Sequence, residues 1–182
     1  MKLTERIIGE KIYLRPITYE DTDLIIQWRN ADSVRKYFIY REPFTKEGHE
    51  KWMKTQIETG NAYQFIICLK SDNRPIGCTY LRDYDKMHNK AEYGVFIGEE
   101  NMRGQGLGKE MLNLTLQFAF NVLHLHKVYA RALADNAASI HCFLSCGFEQ
   151  EALLREEVRI DGIYRDIVLL GKLAENAGKE II

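Results

Sequence analysis

The segment Arg103-Gly104-Gln105-Gly106-Leu107-Gly108 sets alternate glycines between an apolar, strand-like run and an amphipathic stretch. Glycine at alternate positions lets the backbone take positive φ and approach a ligand closely. The helix that follows aims free N–H groups and its positive dipole end at the same point. The chemistry implied is a cradle for phosphate. A Walker loop would need glycine where Arg103 stands and Ser or Thr where Glu110 follows Gly108-Lys109, so a triphosphate P-loop is excluded. A dinucleotide fingerprint would place its third glycine three residues after the second, but Gly106 and Gly108 are two apart and lie well past the first third of the chain.

The other side chains able to do chemistry are scattered. Cys68, Cys78, Cys142 and Cys146 form no Cys-x-x-Cys pair, and His124, His126 and His141 do not complete a ligand set with them. They read as reduced core thiols, with no disulfide and no metal expected. Basic and acidic residues nearly cancel, 25 against 26, which gives no electrostatic footprint for nucleic acid and no polybasic tail for a membrane. Met1 to Glu10 lacks a signal-type apolar core, and no apolar run reaches membrane length, so a cytoplasmic protein is expected. A chain of 182 residues, 46% apolar, suits one domain over 1–182 with a full core.

The elements that must position the cradle follow from periodicity and turn residues. Ile12 to Pro16 reads as a first strand, and a helix capped by Thr18 or Asp21 runs to about Trp28. After an aromatic loop, Tyr37 to Phe44, a second helix starts at Thr45 and stops at Gly60. Tyr63 to Leu69, Pro75 to Leu81 and Lys90 to Ile97 read as an antiparallel meander. Beyond the glycine loop, Leu107, Met111, Leu114, Phe118 and Val122 form one helical stripe. The strand Lys127 to Ala132 then pairs in parallel with Lys90 to Ile97 through a right-handed crossover. A helix from Asn136 to Cys146 and a hairpin, Glu157 to Ile160 with Tyr164 to Leu170, close the chain. The fold class expected is α+β: a mixed, mostly antiparallel seven-stranded sheet, helices on both faces, one central parallel pair diverging at the ligand site.

Taken together, Arg103 to Gly108 after a strand, Asn136-Ala137-Ala138-Ser139, and Cys146-Gly147-Phe148 at a helix end resemble the GNAT superfamily of acyl-CoA-dependent N-acyltransferases. The element order agrees from about Lys11 to Leu170. The arrangement is most similar to the branch with ribosomal-protein-alanine, spermidine and amino-sugar-nucleotide N-acetyltransferases. The resemblance implies acetyl-CoA as co-substrate, its pyrophosphate held at Arg103, Gly104, Gln105, Gly106, Leu107 and Gly108. It also implies that the backbone of Val95, Phe96 and Ile97 pairs with the pantetheine amides like an added strand, with Asn136 and Ser139 at the arm. The acceptor wall it implies includes Trp28, Arg29, Asn30, His49 and Tyr93. Many members carry a tyrosine where this chain has Phe143, and a phenyl ring cannot protonate the leaving thiolate. Water, Ser139 or a nearby tyrosine would have to serve.

The implied reaction is direct attack of a neutral primary amine on the thioester, the oxyanion held by backbone N–H groups of Tyr93 to Ile97. A lysine-like amine of pKa about 10.4 forfeits about 4.6 kcal/mol to become neutral at pH 7, and a peptide N-terminus about 1 kcal/mol. Glu92 is the carboxylate placed to accept that proton, with Asp83, His88 and Tyr93 as alternatives and a polar strand face as the plain structural reading. The expected acceptor is an amino-sugar nucleotide, its phosphates read by Arg29 or Arg35. A protein N-terminus or a polyamine is the alternative, and a non-catalytic acyl-CoA-binding module is the reading outside enzymes. A homodimer is the expected assembly.

Overall fold

The structure, a computed structural model, describes residues 5–175. One eight-stranded sheet organises the chain in the order β1-β2-β3-β4-β5-β6-β8-β7. The strands are β1 (Ile7–Ile8), β2 (Ile12–Pro16), β3 (Tyr63–Leu69), β4 (Pro75–Asp85), β5 (Lys90–Ile97), β6 (Lys127–Leu133), β7 (Glu149–Ile160) and β8 (Ile163–Leu173). Every neighbouring pair is antiparallel except β5 with β6. The helices are α1 (Thr22–Asn30), α2 (Asp32–Arg35), α3 (Lys46–Trp52), α4 (Leu107–Gln117) and α5 (Ala137–Ser145). Helices α3 and α4 each run on into a π-helical turn, Met53–Ile57 and Phe118–Val122.

Alternation along β3 divides the core between the two faces. Phe65 and Ile67 point to α4 and α5, where they meet Met111, Leu112 and Phe118, while Ile66 and Cys68 point to Ile25, Trp28 and Met53 on the α1 side. Because both faces are covered, β3 reads as an almost unbroken apolar run rather than a polar–apolar alternation. Thr45 caps α3, its hydroxyl accepting from Gly48 N at 3.1 Å, and Asn136 caps α5 by accepting from Ser139 N at 3.2 Å.

The α+β class, the mixed sheet, the central parallel pair and the helices on both faces are as expected, but the sheet has eight strands instead of seven. The additional β1 pairs only Ile7 and Ile8 with Leu14 and Tyr13, too short a stretch to carry a periodic signal. Strand β7 begins at Glu149 rather than Glu157. Register shifts between Gln150 and Ala152 and between Leu154 and Val158 break its alternation, and a bulge disrupts the period-two pattern by which a strand is read. A short helix, α2, forms between the first helix and the aromatic loop, where no element was expected, and its Val34 turns inward and is buried.

Candidate active site

The parallel pairing of β5 with β6 covers Lys90, Ala91 and Glu92 and goes no further. From Tyr93 to Ile97, β5 keeps its antiparallel partner β4 on one side, while its other edge opens into a cavity of about 880 Å³. The glycine loop lies at the Ile97 end of that open edge. Gly104 and Gly106 have φ of +72° and +74°, and a Cβ on either would meet nothing within 4 Å. Glycine is needed there for its dihedral, and the empty space over the loop is room for a ligand. Gly106 is the N-cap of α4, so the unpaired amides of the first helical turn face the same space.

Arg103 does its work sideways. Its guanidinium donates to Ile97 O at 2.9 Å and to Ser33 O at 3.1 Å, bracing the loop against β5 and α2. Gln105 is tied to Asn101 O at 2.7 Å. The loop therefore offers a ligand its backbone more than these two side chains. Across the cavity, Asn136 and Ser139 line the start of α5. The Asn136 Oδ1 is used in capping, which leaves its amide N–H₂ as the group available to a ligand.

At the vertex where β5 and β6 part, Glu92 is gripped by two arginines on the neighbouring strands. Arg82 of β4 donates to both carboxylate oxygens at 3.1 Å, and Arg131 of β6 to both at 3.1 and 3.0 Å. The Glu92 side chain is 4% exposed. Burial alone would push its carboxyl up, but the hydrogen bonds and charges of Arg131 and Arg82 outweigh that and hold its pKa below the usual carboxylate value. A carboxylate so held is a weak base with no lone pair turned to an amine. The expected role of Glu92 as proton acceptor does not fit these surroundings. Neither arginine was foreseen; the signal was a basic residue inside an otherwise apolar strand, at Tyr80-Leu81-Arg82 and Ala130-Arg131-Ala132.

Of the expected acceptor wall, Arg29 and Tyr93 reach the cavity. Arg29 lays its guanidinium 3.4 Å above the Phe38 ring and 5.1 Å from that of Phe44. No carboxylate pairs with it among the described residues, and burial lowers its pKa. Trp28, Asn30 and His49 stand behind that wall. Trp28 is 3% exposed and donates from Nε1 to Glu99 at 2.9 Å. Asn30 bonds both the N–H and the C=O of Phe44, at 2.8 and 2.9 Å, pinning the aromatic loop. His49 is buried, 3.0 Å from Thr22 Oγ1, its pKa lowered by burial. Asn30 and His49, whose ring lies 5.8 Å from that of Phe44, hold the aromatic loop, Trp28 packs on Phe96 of β5, and none of the three lines the cavity. Among the described residues no group of three or more His, Cys, Asp or Glu could hold a metal ion, and no helix is long and apolar enough to cross a membrane.

A glycine cradle at a helix N-terminus, an open β edge leading from it and a walled pocket where that edge ends define an acyl-CoA-dependent N-acyltransferase. The acetyltransferase (GNAT) domain family matches residues 11–149, and the chain belongs to that family: it transfers acetyl from acetyl-CoA to an amine. Spermidine N(1)-acetyltransferase of Vibrio cholerae is 26% identical over 160 residues, which cover 88% of this chain and 91% of that one. The Escherichia coli K12 enzyme of the same name is 28% identical over 165 residues, 88% of this chain and 84% of its own. Among solved structures, the Vibrio cholerae enzyme in complex with CoA and spermine superposes with a TM-score of 0.84 at 25% identity, over 91% of this chain and 96% of that one. The same enzyme has also been solved as a dodecamer.

Proposed function

We propose that the enzyme acetylates the primary amine of an acceptor that also carries an anionic group, of which an amino-sugar nucleotide is the sequence-based example. The observation that carries this reading is Arg29, a guanidinium with no carboxylate partner among the described residues, set on Phe38 in the cavity wall. Near the vertex the cavity is lined by Arg29, Arg82 and Arg131 against the single carboxylate of Glu92. A polyamine carries its positive charges into that wall. Each uncompensated like charge at about 7 Å costs about 2.4 kcal/mol at an effective dielectric of about 20. The same field helps the chemistry. Cationic neighbours disfavour the ammonium form of a bound amine, so its proton passes to solvent before attack and no strong protein base is required. Backbone N–H groups of Tyr93 to Ile97 on the open edge would receive the oxyanion, with the pyrophosphate on the amides of Gly104 to Gly108 and the arm between Val95–Ile97 and Asn136 with Ser139.

A second reading, acetylation of a polyamine, is supported by the relatives, since both named enzymes act on spermidine by their names and one is solved with spermine. That support is stronger for the polyamine than for the sugar nucleotide, and the charge of the wall runs against it. The dodecameric relative likewise supports self-association, of which the expected homodimer would be one form.

Thiol release from acetyl-CoA with an amino-sugar nucleotide, the same sugar without phosphates, spermidine and a short peptide tests the reading. The nucleotide is expected to be the best substrate. Arg29→Ala is expected to raise its KM about ten- to hundredfold, the worth of one hydrogen bond to a charged group, with the KM of acetyl-CoA unchanged. Turnover of spermidine without turnover of any anionic amine would replace this acceptor by the polyamine.

A further inference from the structure

Between α2 and α3 the aromatic loop walls one side of the cavity with Tyr37, Phe38, Ile39, Tyr40 and Phe44. Among the described residues, no backbone–backbone hydrogen bond holds it from Ile39 to Pro43. A segment outside any ladder takes its shape from other partners, and here one side chain supplies them. Arg41, which does not line the cavity, donates from Nη2 to Lys36 O at 2.6 Å and from Nε to Phe38 O at 3.3 Å. Its remaining arm, Nη1, donates to Asp161 Oδ2 at 2.6 Å, 120 residues along the chain. A rigid planar fork holds these three directions together, which a single ammonium nitrogen cannot.

Asp161 and Gly162 are the two-residue turn joining β7 to β8, with φ of +50° and +82° between the paired Ile160 and Ile163. Positive φ at both positions is a type I′ turn, which Asn-Gly fills as well as Asp-Gly. The turn itself therefore needs no charge, and the Asp161 carboxylate goes to Arg41. Next to the turn, Ile39 packs against the cluster of Leu133, Ile160 and Ile167. At its other side the loop carries Arg29, whose guanidinium lies 3.4 Å above the Phe38 ring. A chain of contacts runs from the hairpin tip into the cavity wall, Asp161 to Arg41 to Phe38 to Arg29.

We propose that Arg41 and Asp161 are positioning residues for the acceptor: their ion pair latches the aromatic lip to the β7–β8 hairpin and fixes Phe38, Tyr40 and Arg29 as the wall against which the amine's carrier docks. The proposal rests on the reading that the acceptor enters this cavity, and it holds for a sugar nucleotide, a peptide or a polyamine alike. Neither residue touches the reacting atoms. The elements assigned to acetyl-CoA above, the glycine loop, Val95–Ile97 and α5, receive no bond from Arg41, so the effect is confined to the acceptor. Asp161 is 72% and Arg41 27% exposed. An ion pair that open to water changes an equilibrium by about 1.4- to fivefold and weakens with salt. The two carbonyl bonds from the charged donor carry more, about tenfold or more together.

The test is steady-state kinetics of the wild type, Asp161→Asn, Arg41→Lys and Arg41→Ala with acetyl-CoA and the fastest amine among the amino-sugar nucleotide, spermidine and the peptide, in about 0.02 M and about 0.5 M salt. Asp161→Asn keeps the turn and removes only the charge. It is expected to raise the acceptor KM about two- to fivefold at low salt, with the KM of acetyl-CoA unchanged, and the ratio to wild type should fall toward one at high salt. Arg41→Ala should raise the acceptor KM about tenfold or more at both salts, and Arg41→Lys, which keeps the charge and loses the fork, should fall between. An acceptor KM equal to wild type in Asp161→Asn at low salt, or a KM of acetyl-CoA that rises in step with it, would overturn the proposal and leave the choice of acceptor where it stands. Turnover of spermidine alone would replace the anionic acceptor, with the same ratios then read on spermidine. Turnover of no amine would overturn both. If Arg41→Ala does not fold, Asp161→Asn decides, because Asn-Gly preserves the hairpin turn.

Discussion

Replacing Glu92 by Gln keeps the shape of the side chain and takes the buried negative charge out of a three-strand cluster, leaving only the exposed Asp83 carboxylate 3.7 Å from Arg82. Arg82 and Arg131 then face an amide that can accept at one atom but not at the other. Removing one partner of a buried ion pair costs about 3–5 kcal/mol. The two guanidiniums are each 25% exposed, so water screens part of their repulsion and the lower end, about 3 kcal/mol, applies. At about 2–4 °C per kcal/mol for a chain of this size, thermal unfolding at pH 7.5 should shift down by about 6–12 °C. The shift has a pH signature. The Glu92 pKa is lowered on folding, so its stabilisation is fully present above the unfolded value of about 4.3 and is lost as pH falls through the folded value. The gap between wild type and variant should therefore narrow below about pH 4.3. In steady-state kinetics, kcat should fall less than tenfold and keep its acid limb, where loss of a general base would cost about 10²–10⁴. The freed positive charge should lower the KM of an anionic acceptor and raise that of spermidine. An unfolding temperature equal to the wild type's, together with disappearance of the acid limb, would refute the reasoning and return Glu92 to the role of base.

Gly106→Ala forces a Cβ into left-handed backbone at φ +74° with no neighbour to clash, so the strain is about 1–2 kcal/mol. Calorimetry should show weaker coenzyme A binding together with a small drop in unfolding temperature. His49 is kept neutral by burial, its folded pKa below the usual histidine value of about 6.5. Its contribution to stability is thus fully present above about pH 6.5 and is lost as pH falls through the folded value. His49→Gln should show a smaller loss of unfolding temperature between pH 7.5 and 5.5 than the wild type. An equal loss in both proteins would mean that His49 is protonated or exposed in the folded state.

Much of the molecule was legible before its structure. The glycine loop, the amphipathic stripe from Leu107 to Phe118, the caps at Thr45 and Asn136 and the parallel crossover all follow from short-range rules, because dihedral demand, helical period and capping depend on residues a few positions apart. Strand β7 was only partly legible, since bulges shift its side chains between faces, and β1 was too short to show. The proposed acceptor wall was half legible. Arg29 was named, but its neighbours Trp28, Asn30 and His49 could not be sorted into contact and support from type alone. Trp28 takes its partner from Glu99, and His49 takes Thr22, across packed elements.

Sequence by itself determined the donor side of the reaction. Positive φ at Gly104 and Gly106 and a helix N-terminus just after them are local properties, and they carry the proposed phosphate cradle wherever the loop is placed. Tertiary structure decided the rest, because charge and hydrogen bonding are properties of neighbours in space. Pairing of β4, β5 and β6 brings Arg82 and Arg131 onto Glu92 and turns an expected base into the centre of an ion cluster. The divergence of β5 from β6 after Glu92 opens the cavity, and packing of the aromatic loop on α1 leaves Arg29 without a carboxylate partner among the described residues.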